Sequence, residues 1–143
     1  MTDTHFSERM AIADLIASYT INGDRGKLDG LAACFAPDGV LEFPGASAKG
    51  PAEIFRTLSS GPRNPSLTLV RHHLTSSLIE FETDETATGR TYFQVCSDAG
   101  LDHIGVYADR FVRLDDGWRI ARRHVRIDWQ SPGSLFRRFE ARH

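Results

Sequence analysis

An aspartate and a neighbouring pair of histidines have the side-chain types that proton-transfer chemistry requires. Asp24 follows Gly23 at the end of a predicted helix, and His72 and His73 open a predicted strand. A carboxylate that binds one imidazole nitrogen leaves the other nitrogen free to act as a base near neutral pH. If the fold brings such a pair together inside a cavity, the sequence predicts an enzyme that takes a proton from its substrate.

The residues alone do not decide which histidine takes part. Adjacent strand residues point to opposite faces, and apolar neighbours occur on both: Leu74 shares the face of His72, and Ile79 shares that of His73. Either histidine can equally be a hydrogen-bonded structural residue. Asp24 also has a structural alternative, since it can cap the helix that follows.

Further chemically capable residues lie on the last two predicted strands. His103 and Tyr107 share a face that is either exposed or lines a cavity. Arg123 has aliphatic neighbours on its face, and a buried arginine needs an anionic partner or a ligand oxygen. An ion pair with Asp109 or Asp24 and a role in ligand binding are equally open.

Metal and hydrolase sites are not favoured by the spacing of the reactive residues. A zinc site made by His72, His73 and His103 lacks the close ligand spacing of such sites. There is no Gly-x-Ser-x-Gly turn for a serine hydrolase. Cys34 and Cys96 are predicted to be buried thiols. We therefore expect no metal and no cofactor.

The composition is that of one globular domain. The chain has 143 residues, of which 41% are hydrophobic and 25% charged, enough for a single core. A net charge of -2 argues against nucleic acid or a membrane surface as a partner. The sequence has neither a signal-peptide pattern nor an apolar run of membrane-spanning length, so we expect a soluble, cytoplasmic protein.

The elements that must position these residues come in the order of helices first and long strands after. Periodicity and turn residues predict helices over 7–22, 27–35 and 51–60, and strands over 40–43, 67–82, 88–97, 102–114 and 118–129. Short turns between the later strands predict an antiparallel meander in an α+β fold. A curved sheet with helices across its mouth would enclose a largely apolar pocket. The tail 130–143 is predicted to form a short helix with Leu135, Phe136 and Phe139 on one face.

Several segments resemble the SnoaL-like branch of the nuclear transport factor 2-like superfamily. They are residues 12–19 and 31–44 near the start, and 71–76, 105–111 and 116–120 on the later strands. The resemblance covers about residues 6–130 and implies a single SnoaL-like domain over 1–143, with 130–143 as a tail. It implies a cystatin-like, cone-shaped α+β barrel, whose strongly curved mixed or antiparallel sheet wraps around N-terminal helices.

The resemblance also implies a catalytic pair. Scytalone dehydratase, bile-acid dehydratase and hexachlorocyclohexane dehydrochlorinase, all of this branch, share an aspartate and a histidine at two positions. By register these positions are Asp24 and His73, and His72 does not match. Tyr19 matches a tyrosine of the bile-acid enzyme, and Arg123 falls at a pocket-facing position. We therefore expect Asp24, His73 and Tyr19 to be catalytic.

Phe43 narrows the chemistry that the resemblance implies. Ketosteroid isomerases have an aspartate there and scytalone dehydratase a tyrosine, so we expect neither ketosteroid-type isomerisation nor scytalone as the substrate. The implied function is a cofactor-independent, dehydratase-like lyase acting on a hydrophobic cyclic or aromatic substrate, with His103 as a candidate proton donor. The residues expected to contact the substrate are Phe43, His103, Tyr107, Arg123 and Val125. The alternatives are a polyketide cyclase or isomerase with the same base, or a non-catalytic accessory subunit like the small subunits of ring-hydroxylating dioxygenases.

The family resemblance finally implies a homo-oligomer, either a dimer or a trimer, assembled through the outer face of the sheet. One face of the strand over 102–114 is aliphatic and would suit such a contact, since large exposed apolar patches are rare on monomers. Its residues are Ile104, Val106, Ala108 and Val112.

Overall fold

The predicted order of the chain, with helices early and long strands late, is confirmed in the structure, a computed structural model that describes residues 5–139. Its helices and strands are α1 Phe6–Asp24, α2 Leu28–Ala32, β1 Phe35–Phe43, β2 Ala46–Lys49, α3 Pro51–Ser59, β3 Val70–Phe81, β4 Thr86–Ser97, β5 Gly100–Leu114 and β6 Gly117–Gln130. The antiparallel hairpin of β1 and β2 separates α2 from α3.

The strands form one mixed sheet in the order β2-β1-β6-β5-β4-β3. The predicted antiparallel meander is confirmed for β3 to β6, whereas β1 runs parallel to β6. The sheet is open and curves around the helices, so the α+β class is confirmed. No helix of residues 5–139 has the length and apolar character needed to cross a membrane.

The core lies between the helices and the inner face of this sheet. Ile12 and Ile16, one helical turn apart on α1, are buried against it, as is Ile54 on α3. Every second residue of β4 between Ala87 and Ser97 is buried, the pattern of a strand with one face on a core. The inner face of the sheet is therefore the place where a buried site can form.

A bulge in β6 changes which of its residues face the core. Phe111 pairs with Ile120 and Arg110 with Arg122, so Ala121 is an extra residue on β6. Strict alternation would place Ile120 and Arg123 on opposite faces. Because of the bulge, both are fully buried on the inner side.

Two predicted helices differ from the structure. The helix predicted over 27–35 is shorter, because the end of that window joins the sheet: Ile120 N–H donates to the Cys34 carbonyl, and Phe35 pairs with Ile120. The helix predicted in the tail is wrong for 131–139, which is irregular. There, the side chain of Gln130 binds backbone groups of Arg137 and Phe139. Residues 140–143 lie outside the described part.

Candidate active site

The end of α1 and the start of β3 bring Asp24 and His72 together. Asp24 Oδ1 lies 2.6 Å from His72 Nδ1, and Asp24 Oδ2 accepts the backbone N–H of His72 at 2.9 Å. The Asp24 side chain is 9% exposed and that of His72 is 27% exposed. Because a carboxylate only accepts hydrogen bonds, Nδ1 carries the proton and Nε2 is left as an accessible base.

The prediction that His73 pairs with Asp24 is wrong. His73 is exposed on the outer face of β3, whereas His72 is partly buried and pairs in register with the buried Val95. Leu74, which shares the face of His72, packs against the core. Since the face that carries Leu74 is the inner one, strand alternation turns His73 away from Asp24.

The protonation state of Asp24 suits a role beside an imidazole. Burial raises the pKa of its carboxyl, but the hydrogen bonds from the ring and backbone of His72 lower it more, and the net pKa lies below the usual value. Asp24 is therefore ionised at neutral pH. It can hold the tautomer of His72 and stabilise the imidazolium that forms when Nε2 takes a proton.

Arg123 is fully buried and bound to Asp109. Its Nε and Nη2 each donate to one carboxylate oxygen of Asp109 at 2.8 Å. The guanidinium lies between two aromatic rings, 4.2 Å from the centre of Tyr19 and 4.0 Å from that of Tyr107. Its Nη1 has no hydrogen-bond partner among the described residues. Of the two aspartates considered, Asp109 is the ion-pair partner, and Nη1 remains available for a ligand oxygen.

Tyr19 and Tyr107 are neutral phenols in this environment. Both are buried, and burial raises the pKa of each above its usual value although the charge of Arg123 acts in the opposite direction. Their rings meet edge to face at 5.8 Å, and Tyr107 also stacks on Phe93 at 4.4 Å. A neutral phenol keeps its proton and can donate a hydrogen bond to an oxygen.

A second aspartate–histidine pair lies on β5, built by a bulge. Val95 pairs with His103 and Cys96 with Leu101, so Asp102 is an extra residue between them. Asp102 and His103 are consecutive, yet they are only 1% and 4% exposed. Asp102 Oδ1 lies 2.7 Å from His103 Nδ1. The sequence does not predict Asp102 as a site residue, because strict alternation places it on the face opposite to that of His103. The adjacent Asp102 and His103 are the one feature of the sequence that could have indicated the pair.

Burial governs the protonation of His103. It lowers the pKa of the ring below the usual value, and the opposing effect of Asp102 is smaller. His103 is therefore the neutral imidazole at pH 7. The predicted role as a proton donor requires the imidazolium, so the environment of His103 does not favour it.

The two pairs face the same interior. Val95 pairs with His72 on one side and with His103 on the other, so the three residues form one row across β3, β4 and β5. The ring of Phe93 lies 6.4 Å from that of His72 and 6.2 Å from that of His103. Through its stack on Tyr107, Phe93 also connects this row to the Arg123 group.

The remaining predicted residues lie at different depths. Val125 is partly buried, packs on the core and pairs with Tyr107. Phe43, at the end of β1, is partly buried, and the guanidinium of Arg137 lies 5.9 Å from its ring. Within residues 5–139, no three His, Cys, Asp or Glu side chains are arranged to hold a metal ion.

The chain belongs to the family of SnoaL-like domains, whose profile matches residues 4–124. The predicted family is thus confirmed. A Mycobacterium tuberculosis protein of unknown function, Rv3472, is 31% identical, with 88% of this chain and 75% of that chain covered and a TM-score of 0.77. No curated protein sequence matches this chain.

Two other solved structures share the fold at lower identity. A provisional scytalone dehydratase from Novosphingobium aromaticivorans is 24% identical, with 97% of this chain and 95% of that chain covered and a TM-score of 0.83. A hexachlorocyclohexane dehydrochlorinase from Novosphingobium barchaimii is 20% identical, with 94% and 97% covered and a TM-score of 0.78.

Proposed function

We propose that this protein is a cofactor-independent lyase that eliminates water or a related leaving group from a hydrophobic cyclic substrate. The observation that carries the proposal is the Asp24–His72 pair, in which Nδ1 is held by a carboxylate at 2.6 Å and the ring is 27% exposed. This is the hydrogen-bonding arrangement of a histidine general base. The two neighbours of the same fold that are named as a dehydratase and a dehydrochlorinase favour elimination over other uses of this base.

In the proposed reaction, Nε2 of His72 takes a proton from a carbon next to a carbonyl group. The electron pair of the C–H bond forms the new double bond, and the leaving group departs with its bonding pair. For a hydroxyl leaving group, the imidazolium of His72 then returns the proton, so that water is released. Asp24 holds the ring throughout. A well-placed general base contributes about 10²–10⁴-fold in rate, so the transition state needs further stabilisation from other residues.

The Arg123 group is the proposed source of that stabilisation. As the proton leaves carbon, negative charge develops on the carbonyl oxygen of the substrate. The unpartnered Nη1 of Arg123 and the phenols of Tyr19 and Tyr107 are donors in a water-poor environment, where such hydrogen bonds are worth most. The bidentate bond to Asp109 fixes the guanidinium before the substrate arrives.

The test is a screen of hydroxylated and halogenated cyclic ketones. Elimination is detected by the ultraviolet absorbance of the conjugated product. For a substrate found in this way, His72→Ala and Asp24→Asn should each lower kcat by about 10²-fold or more. The matched control is His73→Ala, which changes the adjacent but exposed ring and should leave turnover unchanged.

Equal turnover in the His72 and His73 variants would overturn the proposed base. A product with the same composition as the substrate would indicate an isomerase or cyclase with the same base. If no ketone turns over and loss of His72 leaves ligand binding unchanged, a non-catalytic accessory subunit becomes the better description.

A further inference from the structure

In the second pair, Asp102–His103, the hydrogen bonds define which groups donate and which accept. The carboxylate of Asp102 receives three donors: His103 Nδ1 at 2.7 Å, Ser134 Oγ at 2.7 Å and the backbone N–H of Leu135 at 2.9 Å. Because the carboxylate can only accept, Nδ1 of His103 carries the ring proton. Nε2, on the opposite side of the ring, is then an acceptor, and no described residue donates to it.

The surroundings of this acceptor are aromatic. The rings of Phe136 and Phe139 each lie 5.0 Å from that of His103, and Phe93 lies at 6.2 Å. None of these side chains has a hydrogen to donate to nitrogen. An acceptor that loses its contact with water when a ligand covers it, and gains no donor in exchange, costs free energy, so a site of this kind favours a ligand that supplies the donor over one that does not.

The position of the pair relates it to the proposed base. Val95 separates His72 from His103 by two strand spacings, which corresponds to roughly 9–10 Å between their Cα atoms. The centres of both rings lie near that of Phe93, at 6.4 Å for His72 and 6.2 Å for His103. A cyclic ligand that spans this distance can therefore meet both histidines at once.

We infer that Asp102–His103 is a specificity site for a hydroxyl group of the substrate. This inference rests on the proposed function. Nε2 of His103 accepts a hydrogen bond from a hydroxyl on the ring of the substrate, at a position other than the C–H bond that His72 attacks. The substrate class is thereby narrowed to hydroxylated, phenol-like or enol-like ring compounds. Asp102 acts as the positioning residue that keeps Nε2 an acceptor.

Asp102→Asn reverses the polarity of the site while preserving its shape. The backbone N–H of Leu135 can only donate, so it keeps the amide oxygen on its side. The amide NH₂ then faces His103 Nδ1 and Ser134 Oγ, both of which can accept. The ring proton moves to Nε2, and the acceptor becomes a donor.

The first measurement is the tautomer of His103 in ¹⁵N-labelled protein, from the ¹⁵N shifts of its two ring nitrogens. We expect Nδ1 to be protonated and Nε2 unprotonated in the wild-type protein, and the reverse in Asp102→Asn. An Nε2 proton in the wild-type protein at neutral pH would overturn the inference.

The second measurement is the binding of two aromatic probes by fluorescence titration, 2-naphthol, which carries a hydroxyl donor, and 2-methoxynaphthalene, which does not. The ratio of their Kd values in the wild-type protein should favour 2-naphthol by about fivefold or more over the ratio in Asp102→Asn. His103→Leu removes the acceptor but keeps the bonds of Asp102 to 134–135, and it should give the same loss. This second variant decides the matter if Asp102→Asn unfolds.

The matched control is Asp24→Asn, which makes the corresponding change at the His72 pair. It should leave the probe ratio unchanged. A ratio that responds to Asp24→Asn and not to Asp102→Asn would mean that His72 recognises the hydroxyl, and would overturn the inference. Because binding and tautomer are measured without turnover, loss of the proposed lyase activity and loss of the hydroxyl preference are separate results.

Discussion

Gly105 on β5 lies directly against the ring of Phe93 on β4. A Cβ at Gly105 would come within 2.8 Å of Phe93 Cζ and 2.0 Å of the backbone carbonyl oxygen of Arg126 on the neighbouring strand. Neither atom belongs to a flexible side-chain end that can move away. The absence of a side chain at Gly105 therefore allows Phe93 to lie between His72 and His103.

Gly105→Ala should lower the free energy of unfolding by about 1–3 kcal/mol, since an added methyl group must displace packed strands. Urea unfolding measures this change. Gly133→Ala is the control, because the nearest atom to a Cβ there is 3.9 Å away. Equal stability of the two variants would contradict the close packing of Gly105 on Phe93.

Arg123 and Asp109 should be strongly coupled. Both side chains are 0% exposed, so Arg123→Leu leaves a buried carboxylate without its cation, which typically costs about 3–5 kcal/mol. Adding Asp109→Leu removes that unpaired charge. The double variant should therefore be less destabilised than the sum of the single variants, as a double-mutant cycle measures. Additive effects would show that the pair is not buried as a unit.

His103 should make the protein less stable on mild acidification. Burial lowers its pKa in the folded protein below the 6.5 of the free side chain. As the pH falls through 6.5, the unfolded chain binds a proton at His103 before the folded chain does. The unfolded state is thereby favoured until the pH passes the folded pKa. Chemical denaturation at several pH values should show that the free energy of unfolding declines less steeply with falling pH in His103→Leu than in the wild type. Parallel declines in the two proteins would show that His103 is not the cause.

Asp98 should contribute stability that strong acid removes. The backbone N–H of Leu69 and the hydroxyl of Thr68 bind its carboxylate and lower its pKa from 3.8 to about 2. Its folded pKa is depressed, so the contribution is present above pH 4 and disappears as the pH falls towards 2. Asp98→Asn should flatten the stability profile in this window. An unchanged slope would show that these hydrogen bonds do not stabilise the ionised carboxylate of Asp98.

The sequence predicted the elements well but not the identity of the histidine. Turn residues and periodicity locate the long strands within a few residues of β3 to β6. They cannot set the absolute face of β3, because a bulge between Leu74 and Ser77 reverses the alternation, so that Ile79 packs on the core and Leu78 is 63% exposed. A one-residue uncertainty in register exchanges His72 for His73, since a strand has a side-chain period of two.

Bulges explain most of the other site features that the sequence does not predict. The extra residues Ala121 and Asp102 have no distinctive composition, so alternation assigns their neighbours to the wrong faces. Because a buried cation needs an anion, the sequence predicts one of two aspartates as the ion-pair partner of Arg123. The choice of Asp109 depends on the register of β5 against β6, which pairs the two residues directly.

The parallel pairing of β1 with β6 has a consequence for biosynthesis. The chain places β2, α3, β3, β4 and β5 between β1 and β6, so among the described strands β1 has β2 as its partner until β6 has been synthesised. Contacts between distant parts of a chain form slowly, and unpaired strand edges are prone to aggregation until they form. Folding of the sheet, and with it the Arg123 group, must therefore await β6, and the edge of β1 that β6 covers stays unpaired on the nascent chain until then.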